Sequence, residues 1–161
     1  MSGLKSRRRG MRGEYMLRNA LRVMGWTADR VPSSGAAQGF RGDVRATRNG
    51  QTILFEMKNH SGVFKKIYDL YFAHTKRTQD DLMPFVAPAT TEGRSYCVSV
   101  STSLDAVLEK GGIFLFPENM PEFKEYARTF TKICGMQKLL GEADVLVLKD
   151  DRQPLLYVSY K

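Results

Sequence analysis

Two carboxylates and an amine, Asp43, Glu56 and Lys58, are brought to one face of a sheet by a turn that can be read directly from the chain. Asn49-Gly50 lies between two strand-like runs, Asp43 to Thr47 and Thr52 to Lys58. An Asn-Gly pair in that setting is the strongest short-range signal of a two-residue hairpin. Such a turn sets Arg48 opposite Gln51, and the same register sets Asp43 opposite Glu56. Directly opposed side chains lie about 4.5–5.5 Å apart at Cβ. Lys58, two residues beyond Glu56, points to the same face, while Ile53, Phe55 and Met57 point to the other, into apolar packing.

Two carboxylates held that close repel unless something neutralises them. A divalent cation does so, and Mg²⁺ typically takes one or two carboxylates and completes its shell with water and phosphate oxygens. A metal so held polarises a phosphodiester and activates a bound water. Lys58 beside it could position that water or stabilise charge as it develops. The main-chain carbonyl of Met57 is a further candidate ligand. The alternative for the trio is an exposed cross-strand charge cluster, but like charges directly opposed are destabilising. Glu-x-Lys by itself carries almost no information. Glu122-Phe123-Lys124 repeats it after Pro121, opens a helical pattern and has no opposed aspartate, and is rejected on those grounds.

Glu14 supplies a third acid. It precedes Leu17 by one turn and Leu21 by two, on the apolar stripe of a helix. An acid there needs a partner. A metal at the sheet would provide one, through water; a place near the positive end of the helix dipole would be the other explanation.

The elements that must position these groups follow from periodicity. A helix is predicted from about Arg12 to Met24, stopped by Gly25, and a short strand from Trp26 to Val31. Pro32 to Gly39 reads as a flexible loop. After the hairpin, Phe64 to about Phe72 reads as helix, and Thr75 to Phe85 as its continuation or another helix. Pro84, Pro88 and Gly93 mark a connection. Ser95 to Ser101 alternates as a strand, Ser103 to Lys110 reads as a helix capped by Ser103 and ended by Gly111-Gly112, and Ile113 to Phe116 as a strand. Pro121 to Leu140 reads as a helix, and Val145 to Leu148 with Leu155 to Tyr160 as a hairpin across Asp150-Asp151. This order gives one α/β domain, a central mixed sheet flanked by helices, with residues 1–10 as a basic mobile arm, residues 11–161 as the folded domain, and residues 95–161 completing its sheet.

The net charge is +8, and its placement is informative. Residues 1–48 hold eleven Lys and Arg against three acids, so the whole excess lies there and the remaining residues balance. A polyanion is the natural partner of such a surface, and arginine, which dominates it, suits bidentate phosphate contacts; a solubilising or localising basic tail is the alternative. No apolar run reaches the roughly 18 residues of a membrane span, and Arg18 and Arg22 interrupt the first apolar segment, so no secretory leader is read and the protein is expected inside the cell. Cys97 and Cys134 match no metal motif and are expected as buried free thiols. His60 and His74 form no ligand cluster; either could lie at the surface.

In order along residues 5–60, these features resemble archaeal-type Holliday-junction resolvases, viral and phage relatives included, within the PD-(D/E)xK nuclease superfamily. The resemblance runs through Lys5-Ser6-Arg7-Arg8-Arg9-Gly10, Glu14, Val31-Pro32-Ser33-Ser34-Gly35, Gly42-Asp43-Val44, the Asn-Gly hairpin and Phe55-Glu56-Met57-Lys58. Gly42 stands where the superfamily signature has proline. Gln79 is similar to a polar helix residue of such sites. No recognised motif covers residues 62–94 or 117–161.

The resemblance implies a restriction-endonuclease-like core and a homodimer that nicks two opposed strands of a four-way junction with Mg²⁺, for which Mn²⁺ could substitute. It implies metal ligation by Asp43 and Glu56, catalysis by Lys58, completion of the site by Glu14, and support of cleavage by Ser34. Lys5, Arg7, Arg8, Arg9, Arg12, Arg30 and Arg41 would contact DNA phosphates. No small-molecule cofactor or membrane is expected. A different nuclease of the superfamily, acting on duplex, flaps or ends, and a non-catalytic DNA-binding module are the competing readings.

Overall fold

A computed structural model describes residues 2–31, 42–86, 97–109 and 122–160. Its elements run α1 (Ser2–Val23), β1 (Thr27–Arg30), β2 (Val44–Arg48), β3 (Gln51–His60), α2 (Lys65–Thr78), β4 (Leu82–Val86), β5 (Cys97–Ser101), α3 (Leu104–Glu109), α4 (Phe123–Gly135), α5 (Gln137–Leu140), β6 (Val145–Asp150) and β7 (Leu156–Ser159). Among the described residues the strands form one sheet, ordered β1-β2-β3-β6-β7-β5-β4. It is mixed: β3 and β6 pair in parallel, and the other neighbours are antiparallel.

The hairpin at Asn49-Gly50 forms as the dipeptide dictates. Both residues have positive φ, 52° and 78°, the signature of a type I′ turn. Arg48 pairs with Gln51 and Val44 with Phe55, the register expected from the turn.

Alternation along the strands divides the core between the two faces of the sheet. Phe55 and Met57 of β3 and Val145 and Val147 of β6 pack with Leu17 and Leu21 of α1 and Leu104 and Val107 of α3. Leu146 and Leu148 of β6 point the other way, and with Val98 and Val100 of β5 they meet α2 and α4 through Tyr68, Tyr71, Phe130 and Ile133. On that second face the strands β2 and β3 carry Arg45, Thr47, Thr52, Leu54, Glu56 and Lys58, all half-buried or exposed. Among the described residues α1 thus seals one side of β2–β3, no side chain of these strands joins the core cluster on the other side, and the candidate residues Glu56 and Lys58 lie on that second side.

Several expectations need correction. The first helix begins at Ser2, so residues 2–10 are its opening turns rather than a separate arm. Glu14 therefore stands in mid-helix, too far from the N-terminus for the dipole to explain it, since that effect fades within the first turn. Residues 82–86 are strand β4, not helix. Pro84 lies within that strand, which it tolerates because β4 is at the edge of the sheet. The helix read across 121–140 is two: α4 ends at Gly135 and α5 starts at Gln137. His74 is buried, its Nε2 3.1 Å from the Leu82 carbonyl oxygen. Cys97 and Cys134 are free thiols, as expected, and half-buried. The loop 32–39, most of the connection around Pro88 and Gly93, and the strand read at 113–116 lie outside the described residues. No described helix is long and apolar enough to cross a membrane.

Candidate active site

The site begins with a break in the β2–β3 ladder. The last paired residues are Val44 and Phe55. One step beyond, the Asp43 amide still donates to the Phe55 carbonyl oxygen at 2.7 Å. The next inward-facing amide on β3, that of Met57, is met by a side chain instead: it donates to Asp43 Oδ2 at 2.8 Å. Asp43 thus extends the ladder with its carboxylate and is fixed opposite Glu56.

Gly42 makes this possible. Its φ is +78°, and a Cβ there would stand 3.0 Å from the Phe55 carbonyl oxygen. The chain can turn into Asp43 at this distance only without a side chain. The glycine at the place of the signature proline therefore has a positional role that its spacing alone does not reveal.

Glu56 lies against Asp43 and 3.8 Å from Lys58 Nζ. Burial pushes the Glu56 carboxyl up to about 8, helped by a hydrogen bond with Asp43 and its charge, with Lys58 pulling the other way. A carboxyl placed this close to another acid, with too little positive charge nearby, is driven toward its neutral form.

Glu14 reaches this group from α1. Its carboxyl is raised from 4.5 by burial and by Asp43, and opposed by Arg30. Arg30 Nε donates to Glu14 Oε1 at 3.0 Å, and Nη1 to Tyr15 Oη at 3.2 Å. The partner that an acid on this stripe requires is thus an arginine, which the pattern of α1 alone does not show. Arg30, expected on phosphate, is held by Glu14 and stacked on the Tyr15 ring, whose centroid is 4.6 Å from its Cζ. Arg18 lies 4.7 Å from the same ring, so Tyr15 and Arg18 join the site's border unforeseen.

Close packing of α1 on β3 depends on Gly13. A Cβ there would meet Asn59 Cβ at 3.0 Å and Met57 Cε at 3.1 Å. Asn59 Nδ2 also donates to the Arg9 carbonyl oxygen at 3.0 Å. These contacts tie the basic helix to the strand that carries Glu56 and Lys58.

The structure thus brings Glu14, Asp43, Glu56 and Lys58 together at one end of the sheet. Lys5, Arg8, Arg9, Met11, Arg12 and Tyr15 of α1 line a concave surface of about 600 Å³, and Arg7 is exposed on the same helix. Ser34 and Arg41 lie outside the described residues. Gln79 is the C-cap of α2 and donates from Nε2 to the Lys76 carbonyl oxygen at 2.9 Å. Glu122, of the rejected second Glu-x-Lys, is the N-cap of α4 and pairs with Arg77 at 2.6 Å.

Among known families, the model described as archaeal Holliday junction resolvase (Hjc) matches residues 5–70. The chain is similar to these resolvases over that stretch. The matched stretch holds the basic helix, Glu14, Arg30, Asp43, the hairpin, Glu56 and Lys58, so every member of the cluster lies inside it. The mixed seven-stranded sheet flanked by helices agrees with the α/β core that the resemblance implies. No curated protein matches the chain.

All the site's acidic donors are carboxylate oxygens, the hard ligands that Mg²⁺ prefers. Among the described residues no three acidic, histidine or cysteine side chains enclose a metal site by themselves. Two carboxylates with water and phosphate are the usual complement for Mg²⁺, so the donor set fits such an ion. Two carboxylates held face to face make a place where added positive charge is favoured.

Proposed function

We propose that this protein is a Mg²⁺-dependent endonuclease that resolves four-way DNA junctions as a homodimer. The reading is carried by one observation: Asp43, fixed by the Met57 amide, stands opposite Glu56 with Lys58 Nζ 3.8 Å from the Glu56 carboxylate, on the face of β2–β3 away from α1. A purely structural acidic pair has no reason to stand there.

In this reading Asp43 and Glu56 would hold the metal, and the Met57 carbonyl and, through water, Glu14 would be further ligands. The bound ion would polarise the scissile phosphodiester and acidify a water. Asp43 is held in place by the Met57 amide. Glu56 loses its proton when the site is loaded. Lys58 Nζ stands within reach of Glu56, where it orients the attacking water and offsets charge on the phosphoryl oxygens. Arg30 neutralises Glu14 and keeps it turned to the cluster. The arginines of α1 hold the backbone of the strand being cut. Two copies related by a twofold axis would place two such sites on opposed strands of one junction, which gives paired nicks by symmetry. Selectivity then comes from shape and phosphate position rather than base edges.

The test is cleavage of a mobile four-way junction, a linear duplex of equal length and a flap, each with and without Mg²⁺. The proposal expects Mg²⁺-dependent paired nicks in the junction and little cutting of the duplex. Equal cutting of all three would assign a different nuclease of the superfamily, and binding without cutting would assign a non-catalytic module.

A further inference from the structure

On the α1 side of the sheet lies a second cleft of about 230 Å³ lined by Arg9, Arg12, Met16, Asn59, Lys149 and Asp151. Three elements build it. Arg9, Arg12 and Met16 are spaced by three and four residues along α1, so they share one face of the helix. Asn59 of β3 and Lys149 of β6 are register partners across the parallel pair, so they stand side by side on the floor.

The charges of this cleft are held in position. Lys149 is 9% exposed, and its Nζ donates to the carbonyl oxygens of Asp151 and Gln153. An ammonium has three donors, so these contacts fix its position and leave one N–H for a ligand. Asn59 donates one amide hydrogen to the Arg9 carbonyl oxygen and has a second to give. The Asp151 carboxylate accepts a hydrogen bond from Ser61 at 2.7 Å. Neither Arg9 nor Arg12 forms an ion pair with a described residue. A nearly buried lysine and two arginines outweigh one aspartate in a space large enough for a phosphate group. Asn59 follows Lys58 along β3 and points to the opposite face of the sheet, toward α1.

We infer that this cleft is a backbone-phosphate site for DNA on the α1 side of the sheet, so that Lys149, from the part of the chain beyond residue 70, takes part in binding DNA. This rests on the DNA-binding part of the proposed function and not on cleavage; the phosphate site stands or falls on binding alone. Arg9 and Arg12 here have a defined seat instead of a diffuse attraction, and Asn59 and Lys149 join them.

The experiment measures four-way junction binding without divalent metal over a range of salt, for the wild type, Arg12→Gln, Asn59→Asp and Lys149→Met, with thermal unfolding as the check on folding. Each phosphate contact contributes about 0.9 to the log–log salt slope on duplex DNA. Arg12→Gln is expected to lower the slope by roughly that amount. Asn59→Asp, which adds a negative charge on the cleft floor and none on the helix, is expected to weaken binding about as much. Unchanged binding and slope in both Arg12→Gln and Asn59→Asp, with the fold intact, overturns the inference whatever Lys149→Met does. Inorganic phosphate is titrated in parallel, read by the Asn59 side-chain amide resonance. A phosphate response in that resonance with no change in DNA binding would mean a free-anion site and also overturns it. Protein that shows the altered slopes but never cuts DNA keeps this site and loses the nuclease assignment. Protein that cuts junctions with unaltered slopes does the reverse.

Discussion

Asp43 Oδ2 accepts the Met57 amide hydrogen at 2.8 Å, so one carboxylate both closes the ladder between β2 and β3 and stands against Glu56. The two duties separate by substitution. Asp43→Asn keeps a carbonyl oxygen for the Met57 amide but removes the charge. It is expected to leave thermal stability close to wild type and to reduce Mg²⁺-dependent cleavage by about 100-fold or more. Asp43→Ala removes the acceptor as well and is expected to cost about 1–3 kcal/mol of stability for the orphaned amide. Denaturant unfolding of both variants checks the difference; equal stability losses would mean the Met57 bond contributes nothing.

The Glu56 carboxyl is raised in the folded chain from 4.5 to about 8. A raised folded-state pKa favours the fold at low pH and loses that contribution as pH rises. Metal-free protein is therefore expected to lose stability between about pH 4.5 and pH 8. Glu56→Gln, which cannot titrate, is expected to flatten this dependence. Thermal unfolding of both proteins across that range measures it, and parallel curves would contradict the assignment of the titration to Glu56.

The same proton gives a second readout. Loading Mg²⁺ onto Asp43 and Glu56 near pH 7 is expected to release a proton. Calorimetric titration in two buffers of different ionisation enthalpy detects it. Heats that are identical in the two buffers would show that no carboxyl in the site changes its protonation.

Gly42 has φ +78° and no room for a Cβ against the Phe55 carbonyl. Gly42→Ala is expected to cost about 1–2 kcal/mol for the left-handed backbone and more for the crowding. Because the residue leads directly into Asp43, cleavage is expected to fall further than the lost stability accounts for, when measured well below the unfolding transition. A variant that is destabilised but cuts normally would show that Gly42 supports the fold alone.

Lys58→Met retains the aliphatic stem and removes the ammonium 3.8 Å from Glu56. Junction binding is expected to persist, since the basic face of α1 is untouched, while cleavage falls by about 100-fold or more. A single-turnover assay at saturating protein separates the two. Loss of binding in step with cleavage would make Lys58 a DNA contact rather than part of the chemistry.

The cluster was legible where its geometry is local. The Asn49-Gly50 dipeptide fixes a register, and the register alone sets Asp43 against Glu56 and Lys58. Glu14 could be singled out as an acid on an apolar stripe, but its Arg30 partner comes from β1 and depends on how α1 lies across the sheet. The parallel pairing of β3 with β6 joins segments some 90 residues apart, a contact no local pattern records. Residues 1–10 read as an arm because their small and basic residues show no apolar period; α1 nevertheless runs through residues 2–10. Pro84 misled because a proline marks a connection unless the strand lies at an edge, and edges are known only when the sheet is. Ser34 and Arg41, which rest on the family resemblance, lie outside the described residues.

The central claim is that Asp43 and Glu56 form a metal-loaded centre that cuts DNA. It is tested most directly by measuring four-way junction cleavage and binding together, for the wild type and Glu56→Gln, across a Mg²⁺ titration. The predicted result is Mg²⁺-dependent nicking by the wild type and none by Glu56→Gln, with junction affinity preserved in the variant. Undiminished cutting by a folded Glu56→Gln protein would contradict it.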